Sequence, residues 1–259
     1  MDTGPGSVAP LTPRFRSELA DFWHFVRRPH PLRRLPGRAP TVGWVSDWWP
    51  GVGPGRLLAW AAVLWLINLF ALGPVAVAAA GLGGVTHRLD PANIPWLTAV
   101  VWAPLVEEML FRYGLRRPKQ ALWLCPALLP VVLYGPRIWT GLLLAAFVLL
   151  ACWALRPRPA PLKRWNTAWR RLYLRHFGWV FHLVALTFAA VHLTNFVFHH
   201  TPYWLLPLLV LPQWLTGLVL GWIRIRRGIG AAIALHATFN AGPILLIWAV
   251  MRWAPTAAS

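Results

Sequence analysis

The chain has 259 residues, of which 58% are hydrophobic and only 12% charged, and its mean hydropathy is +0.52. Soluble domains carry roughly 25% charged residues, so this chain lacks the charge to cover a soluble surface of its size. The net charge of +18 raises nucleic acid as a partner, but the basic residues stand in short clusters between apolar runs. That is the pattern of loops beside anionic headgroups, so membrane lipids are the expected partner and nucleic acid is not.

The nineteen Trp residues fit the same class, because indole rings collect at the membrane–water boundary. The two cysteines, Cys125 and Cys152, lie inside apolar segments and form neither a disulfide framework nor a Cys-rich zinc site. Small apolar filler between helices is their expected role.

Residues 1–55 form a basic, Pro- and Gly-rich N-terminal region without the early apolar run of a cleavable signal peptide. Within it, Ser17 to Arg28 predicts a short amphipathic helix with Leu19, Phe22, Trp23 and Val26 on one side, stopped by Pro29 and Pro31. Such a helix can lie along a membrane surface. Residues 56–253 form the membrane domain. A helix needs roughly 20 apolar residues to cross the hydrocarbon core. Apolar runs at about 57–82, 94–115, 120–134, 138–155, 177–198, 203–223 and 229–251 predict an all-α, polytopic bundle of about seven spans, six to eight with the short third run in doubt. Basic residues concentrate before the first span and after the second, fourth and sixth, including the long loop 156–175. This alternation places the N-terminus in the cytoplasm of what is expected to be a prokaryotic cytoplasmic membrane.

Acidic residues are informative because there are only seven: Asp2, Glu18, Asp21, Asp47, Asp90, Glu107 and Glu108. Glu107 and Glu108 adjoin the apolar run Trp96 to Val106. A charge in mid-membrane costs about 2.5–3.5 kcal/mol on insertion scales, so function is the default for such residues. Arg112 follows Glu108 by four residues and shares its helix face. Glu107 points roughly 100° away. Further along, His192 closes Phe188-Ala189-Ala190-Val191-His192, and His236 and Asn240 are four apart on one face. Singly, each segment suits helix packing. Together, Glu107, His192, His236 and Asn240 are polar groups on three different spans that must converge on a cavity to escape lipid. Carboxylate and imidazole can take a proton from water. A second imidazole and a carboxamide can donate to an oxyanion. Alternatively, Glu107, His192 and His236 could bind Zn2+ with an open position for water. Both routes lead to hydrolysis of an acyl bond.

Glu-Glu-x-x-x-Arg at 107–112, Phe-x-x-x-His at 188–192 and His-x-x-x-Asn at 236–240 resemble the three motifs of the CPBP family. These are the CAAX prenyl protease and bacteriocin-processing intramembrane endopeptidases, also called the Abi family. Gly217-Leu218-Val219-Leu220-Gly221-Trp222 and Arg226-Arg227-Gly228 resemble its connecting segment, so the likeness covers about residues 95–245. The resemblance implies that Glu107 and His192 activate water, that His236 and Asn240 form the oxyanion hole, and that Glu108 and Arg112 support them. It implies a membrane-associated protein or peptide substrate, prenylated or not. The family has been described as metal-dependent, yet the glutamate mechanism needs no tightly bound zinc, and no His-Glu-x-x-His motif is present. A non-proteolytic scaffold or immunity protein of the same fold is the alternative.

Convergence sets one condition. Counted from residue 177, His192 lies about 15 residues into its span, roughly 22 Å. It meets Glu107 and His236, near the cytoplasmic ends of theirs, only if its helix starts near 165–170.

Overall fold

The computed structural model of the chain describes residues 13–35, 45–49, 51–90, 93–154 and 167–253. Much of the predicted basic loop, including Arg156, Arg158, Lys163 and Arg164, lies outside these residues. The described chain is almost wholly helical. In order come α1 (Phe15–Arg27), α2 (Val45–Trp48) and α3 (Pro54–Ile67), which runs through a π-type turn at Asn68–Leu72 into α4 (Gly73–Leu82). A second π-type turn, Thr98–Trp102, leads into α5 (Ala103–Glu107), and a third, Glu108–Arg112, follows it. Then come α6 (Pro118–Tyr134), α7 (Ile138–Ala154), α8 (Thr167–Val191), α9 (Leu206–Leu209), α10 (Leu211–Arg226) and α11 (Ile229–Trp253). One small antiparallel pairing departs from the all-α expectation: β1 (Thr86–His87) and β2 (Phe196–Val197) pair Thr86 with Val197.

The expected seven spans are not confirmed. Among the described residues, three helical stretches are long and apolar enough to cross a membrane: Pro54–Leu82, Ala168–Asn195 and Ile229–Trp253. A fourth counts if Tyr203–Leu209 and Leu211–Arg226, bent by 48°, are one span. Three predicted runs fall short for visible reasons. The run 94–115 carries Glu107, Glu108 and Arg112, and α6 and α7 are each only 17 residues long. The outer surface is apolar, as lipid contact demands: Phe70, Val77, Leu133 and Trp179 are all more than 70% exposed.

The condition on His192 is met. α8 starts at Thr167 and runs unbroken to Val191. Two side-chain hydrogen bonds tie it to other parts of the chain. Tyr173 donates to the Leu115 carbonyl at 2.9 Å, and His182 donates to the Val26 carbonyl at 3.1 Å. α8 and α10 pack closely because Gly217 and Gly221, four apart, clear a groove. A Cβ on Gly217 would sit 3.1 Å from the Phe188 ring, and one on Gly221 2.7 Å from the Phe181 ring.

The amphipathic helix α1 docks on protein. Phe25 is fully buried and meets Phe181 at 5.0 Å, while Phe22 lies edge-on to Trp60 and Trp222. Burial of a side chain such as Phe25 contributes about 1.5–3 kcal/mol. Trp23 instead faces outward with Arg27 over its ring at 4.6 Å, so Phe25 takes the place that periodicity assigned to Trp23. The acidic residues of this region grip the basic end of α10. Glu18 pairs with Arg227, Asp21 pairs with Arg226 at 2.8 Å, and Asp47 pairs with Arg224 at 2.5 Å. The tip of α2 lies against Gly230, where a Cβ would run into the Trp48 carbonyl.

Candidate active site

The site begins with the wide turn after Glu107. Glu108 points inward and is fully buried. Its Oε1 accepts from Arg112 Nη1 at 2.8 Å and from His236 Nδ1 at 3.0 Å. Because Glu108 is already the anion paired with Arg112, the proton of that second bond sits on His236 Nδ1. Glu107 is 27% exposed and faces the other ring nitrogen, its Oε2 lying 3.8 Å from His236 Nε2. That distance is too long for a hydrogen bond. The adjacent glutamates are thus divided between the two sides of one imidazole, Glu108 bonded and Glu107 unbonded.

His192 stands on the tight turn that ends α8. Its Nδ1 bonds the Phe188 carbonyl at 2.8 Å. A carbonyl only accepts, so Nδ1 carries the proton and Nε2 of the neutral ring keeps its lone pair. Asn240 Nδ2 donates to the Ala99 carbonyl at 2.8 Å. That carbonyl is free for a local reason. In the π-type turn Thr98–Trp102, Ala103 bonds Thr98, and the next N–H would reach Ala99, but the next residue is Pro104. One amide proton of Asn240 is thereby used, and the second remains.

His192, His236 and Asn240 line one cavity of about 140 Å³ together with Phe188, Pro212, Gln213, Thr216 and Phe239. Glu107 adjoins it at His236. Phe188 is the hub of the packing: its ring lies 4.7 Å from that of His192 and 5.9 Å from that of His236, and the Arg112 guanidinium rests 3.6 Å above it. That stacking supplies an electrostatic partner to an arginine with few acceptors. The six residues singled out from sequence therefore gather in one region.

Zn2+ held by Glu107, His192 and His236 would require all three side chains to reach one ion. Among the described residues no group of three His, Cys, Asp or Glu side chains stands together as a metal site. His236 Nδ1 and His192 Nδ1 are both held by hydrogen bonds, which leaves Nε2 of each ring without one.

Several site residues were missed from sequence. Gln213 lines the cavity, and its buried Oε1 has no hydrogen-bond partner among the described residues. A lone carboxamide in the apolar run 203–223 was a readable signal for it. Arg224 is fully buried and donates to the carbonyls of Arg112 and Tyr113, which ties α10 to the end of the glutamate-bearing helix. No local signal marks this, since its anion Asp47 is 177 residues away.

The family model described as type II CAAX prenyl endopeptidase, Rce1-like, matches residues 91–242, more than half of the chain. The chain belongs to the Rce1-like family. No curated protein and no solved structure matches it. The Rce1-like segment contains Glu107, Glu108, Arg112, His192, His236 and Asn240, whereas α1 to α4 lie before it. Family and apolar helices together make this Rce1-like chain an integral membrane protein.

Proposed function

We propose that the chain is an intramembrane endopeptidase that cleaves a peptide bond of a membrane-associated, prenylated protein without using a metal. The observation that carries this is the small cavity shared by His192, His236 and Asn240 with a carboxylate pair beside it. Glu107, helped by the Nε2 lone pair of His192, takes a proton from water. The water oxygen bonds to the carbonyl carbon, and the carbonyl oxygen becomes an oxyanion. The second N–H of Asn240 donates to it, as does His236 Nε2 when the ring is protonated. Glu107 then returns its proton to the amine nitrogen as the C–N bond breaks. Glu108 and Arg112 hold His236 and orient the site.

Room for a lipid chain lies next door. Phe239 lines both the site cavity and an apolar cleft of about 450 Å³ bounded by Trp65, Leu69, Pro243 and Leu246. Loop charge supports placing the N-terminus on the cytoplasmic side.

The test is a quenched fluorogenic peptide carrying a farnesyl thioether four residues from its C-terminus, offered to the protein in liposomes. Wild type cleaves it. His192→Ala lowers kcat by about 10²–10⁴-fold, the worth of a positioned base. A chelator leaves the rate unchanged. If wild type cleaves neither this peptide nor its unprenylated twin, a non-proteolytic role prevails.

Gln213 offers its unpaired carbonyl to a substrate backbone N–H. Gln213→Leu is therefore expected to raise KM roughly three- to tenfold, about one hydrogen bond, with kcat little changed. Steady-state kinetics on the same peptide check it, and an unaltered KM would sink the assignment.

A further inference from the structure

Pro243 interrupts the hydrogen-bond ladder of α11 one turn beyond the site. It has no N–H, so the Phe239 carbonyl, four residues earlier, loses its donor within the helix. Where water is scarce, such a carbonyl needs a partner from elsewhere. Trp65 on α3 supplies it: its Nε1–H donates to the Phe239 oxygen at 2.9 Å. Gly242 makes the approach possible, since a Cβ there would run into the indole.

The freed carbonyl belongs to the residue immediately before Asn240. Phe239 and Asn240 both line the site cavity. On its other side, Asn240 is tied to the Ala99 carbonyl that Pro104 leaves without a donor. Two prolines thus each open a carbonyl, and each is closed by a side-chain N–H from another helix. The first closure holds the Asn240 side chain, and the second holds the backbone that carries it.

We infer that Trp65 is a positioning residue for the oxyanion side of the site: by binding the Phe239 carbonyl it sets the rotation of α11 at the Pro243 break and so aims Asn240 and His236. This rests on the endopeptidase reading. Trp65 lies outside the family-matching segment 91–242, so the contact is one that the motifs do not contain. Its loss misaims donors that act on the transition state, so kcat falls beyond any rise in KM that its place in the apolar cleft brings.

The experiment uses the full chain in liposomes with the farnesylated fluorogenic peptide. Trp65→Phe is expected to lower kcat about 10- to 100-fold, the scale of a misplaced catalytic group. Pro243→Ala returns an N–H that Phe239 can accept from within its own helix. The double variant Trp65→Phe with Pro243→Ala is therefore expected to recover to within about threefold of Pro243→Ala alone, the non-additivity that marks two residues acting on one shared partner. If Trp65→Phe does not fold, benzothienylalanine placed at position 65 keeps the indole shape and removes only the N–H, and the same kcat loss is expected. An unchanged kcat, a rise in KM alone, or a double variant no better than the single one overturns the inference. A wild type that cleaves nothing is a different outcome, and it removes the endopeptidase reading together with this one.

Discussion

Glu107→Gln lowers kcat on the farnesylated peptide by about 10²–10⁴-fold and leaves the melting temperature near that of wild type, whereas Glu108→Gln destabilises the fold itself. The contrast follows from the partners. Glu107 makes no hydrogen bond to His236 and is partly open, so its loss removes a general base and little else. Glu108 and Arg112 are both fully buried, and the carboxylate also holds His236. Removing the anion leaves a buried guanidinium unpaired, at a cost of about 3–5 kcal/mol. Activity and thermal melts of the two variants in one detergent separate the roles. Equal losses of activity with equal melting temperatures would show that the pair is not divided in this way.

Asp47→Asn is the second large effect. Arg224 is fully buried at the junction of α10 with the glutamate-bearing helix, and Asp47 bonds it at 2.5 Å. Without Asp47 the cation is left with backbone carbonyls alone, and about 3–5 kcal/mol is lost. Burial by itself would raise the Asp47 carboxyl, but Arg224 and Arg34 outweigh it and hold the group well below the ordinary carboxylate range. The sign follows from linkage. A group depressed in the folded state stabilises fully above its unfolded value, about 3.9, and loses that contribution as the pH falls through the folded value. Wild type is therefore expected to melt well above Asp47→Asn from pH 7 down to about pH 4, with the gap closing only at stronger acidity. Melting curves over that range check it. A gap that already closes between pH 7 and 5 would point to another group.

The site was largely legible because its signals are local or scarce. Glu108 and Arg112 pair at helical spacing, which one segment specifies by itself. His192, His236 and Asn240 stand out because polar side chains in apolar spans need a shared cavity. The required early start of α8 followed from rise per residue and from a stretch, Asn166 to His176, free of Pro and Gly. The span count was less legible. Hydropathy marks apolar runs, but where each helix starts and stops is set by packing and turns, and α6 and α7 end at 17 residues.

The amino-acid sequence by itself determined the membrane class, the helical character and the division of the two glutamates, because these depend on composition and on spacings of three or four residues. Only the tertiary structure decided what the other acids do. Glu18, Asp21 and Asp47 look like scattered charges in a basic tail, yet they meet Arg227, Arg226 and Arg224 across some two hundred residues of chain. The same holds for the carbonyls freed by Pro104 and Pro243. Any sequence shows that a proline leaves a carbonyl without its donor, but only the packing of α11 against α3 and against the turn Thr98–Trp102 shows that Trp65 and Asn240 fill the two vacancies. A hydrogen bond between distant helices depends on where their axes cross, and no local spacing encodes that.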